Sequence, residues 1–345
     1  MAVVTRRLSR STTLLTMAVW PITIADVLHA RRRMRETLPI TPLRRFPPLD
    51  EAVGYGIRVF VKLENHQPTQ SFKARNALAA LTALGEAEKQ RGVIAASRGN
   101  HGQALAWAGQ LLRVPVTVCV PLGNNPEKNE AIRGFGAALV EEGDDYDAAV
   151  AVAGRLVRER QLTLVHSTNQ HQVIAGAATM ALEMLEQQPA LEALVLSVGG
   201  GSQAVGALTV GRALRPGLLV YGVQAEGAST IHDSWHASRS GAAPASGGSA
   251  HTFADGLATR STYELTFGAL REGLSGFVKV SEAALAEALR LLLRTTHNLA
   301  EGAGAAGLAG LLALREALAG KAVGICLSGS NIDQETLRRV LQHEL

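Results

Sequence analysis

Apolar and polar positions along this chain fall into a beat of short apolar runs separated by longer stretches of helical spacing. Runs at 93–96, 116–120, 137–140 and 162–165 alternate with helical patterns at 101–112, 126–134 and 146–158. A second series has runs at 193–197, 218–223, 277–280 and 322–327, with helical patterns from 202, near 230, at 283–296 and at 304–317. Strand then helix at these lengths predicts parallel sheets with crossover helices. Two such series predict an α/β protein of two open parallel-sheet domains, with a cleft where strand carboxyl ends and helix amino ends converge. Ahead of the beat, 22–37 reads as a surface helix carrying a basic run, and 58–63 alternates as a strand. Pro39, Pro42, Pro47 and Pro48 lie between them, so an extended connector without regular structure is expected there. The chain turns over 64–70 and resumes helical spacing at 72–84. The small, polar stretch at 237–250 is expected to be a flexible surface excursion, and 334–345 a short helical tail.

Composition supports this class. Apolar residues make up 47% and aromatics only 4%, so the core must be Ala, Leu and Val packed around 35 glycines. That mix suits many tight strand-to-helix turns better than an all-β sandwich. The formal charge of +4 is concentrated at the start, where seven arginines against Asp26 give +6 in the first 35 residues. The remainder is slightly acidic and has no basic stripe, which argues against a nucleic-acid partner. No run of about eighteen apolar residues occurs, so no membrane span is expected. Cys119 and Cys326 lie in apolar strand-like runs and read as small buried residues of a reduced, cytoplasmic protein. Residues 1–20 contain no acid, and read as a transit-like leader or as a disordered tail ahead of a start at Met17.

Four stretches carry candidate chemistry. Lys73 is the only lysine of 68–77, PTQSFKARNA, and stands at the start of an apolar helical run. A buried amine there would be a Schiff-base nucleophile, whereas most lysines are solvated surface charges. Gly199, Gly200, Gly201 and Ser202 follow a strand and open a helix. Consecutive glycines let backbone amides approach a phosphate at a helix start, and the bland alternative is a tight turn. Ser97, Arg98, Gly99, Asn100 and His101 sit at another strand-to-helix junction and would grip a carboxylate, or simply cap the helix. Ser328 ends the last apolar strand, where its hydroxyl would face the same cleft or belong to a turn.

In this order these stretches resemble the threonine/serine dehydratase family of pyridoxal-phosphate enzymes of fold type II. The resemblance runs from about Pro39 onward. It includes LPITPLRRFPPL, PTQSFKARNA, ASRGNHGQALAWA, VPLGNNPEKNEAIRGFGA, SVGGGSQAVG, TFADGLATR, HNLAEGAGAAGLAGL and CLSGSNID. It implies a larger cofactor-binding domain of 21–75 with 168–345, a smaller domain of 76–167, and pyridoxal 5'-phosphate in the cleft between them. Lys73 would form the Schiff base and later move the α-proton, with Phe72 against the cofactor and Ser71 beside the lysine in catalysis. Asn100 would bond the cofactor's phenolic oxygen, Gly199, Gly200, Gly201 and Ser202 its phosphate, and Ser328 its pyridine nitrogen, with Glu301 near the ring. Ser97, Arg98, Gly99, Asn100 and His101 would receive the substrate.

The implied reaction is β-elimination from L-threonine or L-serine to a 2-oxo acid and ammonia. A serine hydroxyl opposite the ring nitrogen favours elimination over transamination, since it cannot keep that nitrogen protonated. Alternatives on the same scaffold are 3-hydroxyaspartate dehydration, serine racemisation, or cofactor binding without catalysis. Arg98 replaces the second serine of serine racemases and, being always protonated, disfavours racemisation. Gln70 stands where many relatives have glycine and is expected to narrow the pocket mouth. Glu226 matches an acid that holds a cation in some relatives, but His232 and Asp233 fall where a second carboxylate would be sought, so no metal is assigned. The resemblance also implies a homodimer, and the short tail after Asn331 implies no isoleucine-sensing regulatory domain.

Overall fold

The computed structural model describes residues 20–241 and 247–345. Its strands are β1 (Leu43–Arg45), β2 (Arg58–Leu63), β3 (Val93–Ala96), β4 (Val116–Val120) and β5 (Ala138–Glu141). They continue as β6 (Thr163–Leu164), β7 (Ala193–Ser197), β8 (Leu219–Ala225), β9 (Gly276–Val280) and β10 (Ala322–Leu327). One sheet has the order β1-β2-β10-β7-β8-β9 and the other β5-β4-β3-β6. Every neighbouring pair is parallel except β1 with β2. β4, β7 and β10 are buried along their whole length, because helices cover both faces of a parallel sheet. Among the described residues no helix is long and apolar enough to cross a membrane.

The proline-rich connector is more ordered than its sequence suggests. β1 pairs antiparallel with β2, and Pro47 and Pro48 open the helix Pro47–Val53. The first turn of a helix has no acceptor for its N–H groups, so proline there removes nothing. Besides Pro47–Val53, three helices have no counterpart in the sequence reading: Glu86–Arg91, His171–Gln187 and Glu264–Gly273. The second of these is buried at every position from Val173 to Leu185. The helix Thr230–Arg239 runs into the stretch expected to be a flexible excursion. The rest of that stretch from 242 to 246, and the expected leader from 1 to 19, lie outside the described residues.

The helix Ser202–Leu214 packs directly on His171–Gln187. A Cβ on Gly206 would lie 2.6 Å from Ala178 Cα, so only glycine permits that approach. Beneath both helices and the sheet lies an enclosed ionic cluster. Arg75 donates to Glu64 at 2.8 Å through both Nε and Nη2, and to Glu183 at 2.6 and 2.7 Å. Lys62, on β2, donates to Glu183 at 2.6 Å and to the Thr41 carbonyl at 2.8 Å. Burial pushes the Glu64 carboxyl up, but the Arg75 guanidinium, with Lys62 and the Thr41 hydroxyl, more than offsets this and holds it below the ordinary carboxylate value. Two cations and two carboxylates thus balance in a space without solvent.

Removing one partner from such a cluster leaves uncompensated buried charge. Arg75→Met should lower the free energy of unfolding by about 3–5 kcal/mol in urea denaturation. A loss below about 1 kcal/mol would show that the cluster does not hold these elements together.

Candidate active site

The carboxyl ends of β3, β7 and β10 open onto one cavity of about 220 Å³. Ser97 follows β3, the glycine loop follows β7, and Ser328 follows β10. All three line the cavity with Lys73, Phe72, Arg98, Gly99, Asn100, His101 and Glu301. The sequence-predicted residues therefore converge, with one exception.

Ser71 lies outside the cavity wall and is fully buried behind Lys73. Its hydroxyl accepts the Lys73 amide at 3.1 Å, and its backbone bridges to Gly329. The Phe72 amide donates to the Ser328 carbonyl at 2.9 Å. Ser71 is thus placed to position the lysine at the start of the helix Lys73–Leu81, behind the cavity wall rather than on it. Gln70 is also displaced from its expected role. It is exposed, does not line the cavity, and adopts a left-handed φ of 51°, the conformation that glycine takes without strain.

Lys73 begins its helix and points its amine into the cavity, where Nζ donates to the Ser167 carbonyl at 2.9 Å. Burial lowers its pKa from 10.5 to about 8, and Glu301 opposes that change. The amine is therefore available as a nucleophile near neutral pH. Burial also raises Glu301 to about 7, against the pull of Lys128 and the hydrogen bond from Asn100. Asn100 Nδ2 donates to Glu301 at 2.7 Å, and its Oδ1 accepts from Asn331 at 2.7 Å, so the Asn100 amide plane is fixed.

His101 is held neutral. Burial and the nearby Lys73 depress it to about 3. Its Nε2 lies 3.0 Å from the Val165 carbonyl, which can only accept, so Nε2 carries the proton and the partnerless Nδ1 is an acceptor. Ser97 Oγ receives the amides of Gly99 and Gly102 at 3.3 and 2.9 Å, tying the loop into the start of the helix Asn100–Leu112.

At the glycine loop, the amides of Gly199, Gly200 and Gly201 donate to no group among the described residues, and the helix Ser202–Leu214 has no side-chain cap. The loop is pressed against its surroundings on the other side. A Cβ on Gly199 would collide with the Gly256 carbonyl, and one on Gly200 with Thr168. Gly201 has a φ of 98°. The result is a bare row of donors at the positive end of a helix. Ser328 is buried and donates weakly to the Ala303 carbonyl at 3.3 Å.

Several wall residues had no role assigned from the sequence: Ser167, Thr168, Tyr146 and the pairs Lys128–Asp255 and Arg260–Asp147, of which Lys128, Asp255 and Arg260 lie within quoted motifs. They come from segments far apart in the chain, and no local spacing marks them. Away from the cavity, Glu226 is exposed, while His232 Nδ1 sits 2.8 Å from Asp233 Oδ1. Among the described residues no group of three His, Cys, Asp or Glu side chains is arranged to hold a metal ion.

A nucleophilic amine, unpaired anion-binding amides and a strand-end serine fit the chemistry of pyridoxal phosphate, whose aldehyde Lys73 would take and whose phosphate the glycine loop would hold. Parallel sheets meeting at such a cavity define a fold type II pyridoxal-phosphate enzyme. The chain belongs to the pyridoxal-phosphate dependent enzyme family, whose profile matches residues 35–329. It is 35% identical over 324 residues to the L-threonine ammonia-lyase of Thermotoga maritima, covering 94% of this chain and 79% of that one. It is 34% identical to an L-threo-3-hydroxyaspartate ammonia-lyase of Pseudomonas sp., covering 92% and 98% of the two chains. The solved structure of the processed form of threonine deaminase isoform 2 from Solanum lycopersicum superposes with a TM-score of 0.86 at 28% identity, covering 92% of this chain and 91% of that one.

The depressed amine sets a pH dependence. Below about 8 Lys73 is mostly protonated and its reactive fraction falls with pH; above it the free amine predominates. The rate at which apoprotein takes up pyridoxal phosphate, followed by absorbance, should rise with a midpoint near 8. Glu301→Gln removes the group that raises the Lys73 pKa, so the midpoint should move lower. A wild-type midpoint near 10.5 would show that Lys73 is solvated.

Proposed function

We propose that the protein is a pyridoxal-phosphate-dependent ammonia-lyase that removes water from a small β-hydroxy amino acid, with L-threonine and L-serine as the first candidates, yielding a 2-oxo acid and ammonia. The observation that carries this reading is the Lys73 amine, depressed to about 8, in the cavity that also holds the glycine loop. Pyridoxal phosphate, when bound, supplies the electron sink that weakens the bonds of the substrate α-carbon.

This chain's residues supply the rest. The amides of Gly199, Gly200, Gly201 and Ser202 would hold the cofactor's phosphate, and Phe72 and Asn100, which line the same cavity, would hold its ring. The loop from Ser97 to His101, at the positive end of its helix, orients the α-carboxylate. Lys73, once its amine is free again, takes the α-proton. That electron pair forms the Cα–Cβ double bond as the Cβ–O bond breaks, and the hydroxyl gains a proton and leaves as water. The released enamine tautomerises and adds water, which gives the 2-oxo acid and ammonia. Ser328 would offer the ring nitrogen a neutral hydroxyl rather than a carboxylate, which would favour prompt departure of the β-hydroxyl over a long-lived carbanion.

The six-stranded sheet draws on strands before 64 and after 192, and the four-stranded sheet on strands between 93 and 164. This supports a larger domain of 21–75 with 168–345 and a smaller one of 76–167. By analogy with the family, the enzyme works as a cytoplasmic homodimer.

Purified enzyme supplied with pyridoxal phosphate should show a lysine-bound absorbance band and form 2-oxo acid from L-threonine or L-serine. Lys73→Ala should abolish the band and lower turnover at least about a thousandfold. Wild type without the band fails the cofactor reading, and D-serine accumulating from L-serine without oxo acid would identify a racemase instead.

A further inference from the structure

Four cationic side chains line the cavity: Lys73, Arg98, Lys128 and Arg260. Three have partners. Lys73 donates to the Ser167 carbonyl, Lys128 pairs with Asp255, and Arg260 pairs with Asp145 and Asp147 at 3.3 and 3.0 Å. The Arg98 guanidinium has neither a carboxylate at ion-pair distance nor a hydrogen-bond acceptor among the described residues, and its Nε is closed off from solvent.

The backbone that carries this arginine is fixed. Asn124 Nδ2 donates to the Arg98 carbonyl at 3.2 Å, and Ser97 Oγ secures the amides of Gly99 and Gly102 just after it. Tyr146, which also faces the cavity, offers no negative charge, because burial pushes its hydroxyl up to about 12. A partly enclosed guanidinium without a partner is costly until an anion joins it.

Two anionic groups of the proposed reaction already have places, the phosphate on the glycine loop and the α-carboxylate at the start of the helix Asn100–Leu112. We propose that Arg98 receives a third, a second carboxylate on the substrate, and so selects β-hydroxy amino acids with a carboxylate on the β-carbon over L-serine and L-threonine. The proposal rests on the elimination reading and names its substrate class. A guanidinium fork matches a carboxylate through two parallel hydrogen bonds, whereas a methyl group or hydrogen in that place leaves the fork empty. The chemistry is unchanged: water is lost across Cα–Cβ and regained on hydrolysis, giving a 2-oxo dicarboxylic acid and ammonia.

Two measurements on the holoenzyme test this. The first compares kcat/KM for threo-3-hydroxyaspartate and L-serine. Wild type should favour the diacid at least about tenfold, and Arg98→Gln should collapse that ratio about tenfold or more, mainly through KM, with Arg98→Lys in between. The second is calorimetric binding of succinate and of butyrate, which differ by one carboxylate and do not react. Wild type should prefer succinate by about tenfold, and Arg98→Gln should equalise the two. Equal losses for both substrates in Arg98→Gln would put Arg98 on the α-carboxylate and overturn the proposal. So would equal binding of succinate and butyrate by wild type. If no amino acid yields oxo acid while the succinate preference still depends on Arg98, the elimination reading falls and the anion site stands.

Discussion

The helix Lys73–Leu81 places an amine in the cavity at its first residue and a guanidinium in the core two residues later. Arg75 is gripped by Glu64 after β2 and by Glu183 on the helix His171–Gln187, and Lys62 closes the cluster from β2. Because each of these charges is enclosed, none can leave its partners without a large penalty. The helix is therefore fixed in register along its axis. A second set of contacts, from the Lys73 amide to Ser71 and from Phe72 to the Ser328 carbonyl, ties its start to the end of β10. The aim of the Lys73 amine follows from these two anchors.

The same exclusion of water that makes the ionic cluster rigid tunes the cavity. It lowers Lys73 to about 8, raises Glu301 to about 7 and keeps His101 neutral. These shifts share one cause, desolvation of the charged form, and differ in sign only because acids and bases are charged on opposite sides of their pKa. The consequence is a base ready to move a proton near neutral pH, beside a carboxyl that exchanges its own proton in the same range.

Across the mouth, Lys128 and Arg260 bind carboxylates on segments distant in sequence, Asp255 in one case and Asp145 with Asp147 in the other. With those cations paired, Arg98 is left as the unsatisfied positive charge on the wall among the described residues. Its neighbour Asn100 is bound on both sides by Glu301 and Asn331. The loop thus combines a fixed backbone with one free guanidinium, which is an arrangement suited to discriminating substrates rather than to moving protons.

The order of strands and helices, the loops at their junctions, Lys73, the glycine row and Ser328 were all legible in the sequence. Each is a local matter of apolar period, of backbone freedom at consecutive glycines, or of a residue type at a strand end. The helix His171–Gln187 had no counterpart in the sequence reading, and only the folded chain shows that it is enclosed on every side from Val173 to Leu185. The connector's prolines concealed β1 and the helix Pro47–Val53, since proline is as compatible with a first helical turn as with a break. Ser71 and Gln70 lie off the cavity wall, because the direction of a side chain in a turn depends on what the turn packs against. Whether Lys73 is charged, and whether Arg98 has a partner, depended on residues far along the chain, as the bonds from Lys73 to Ser167 and from His101 to Val165 illustrate. Charge states and unpaired groups are set by desolvation and long-range contacts, and only the folded chain decides those.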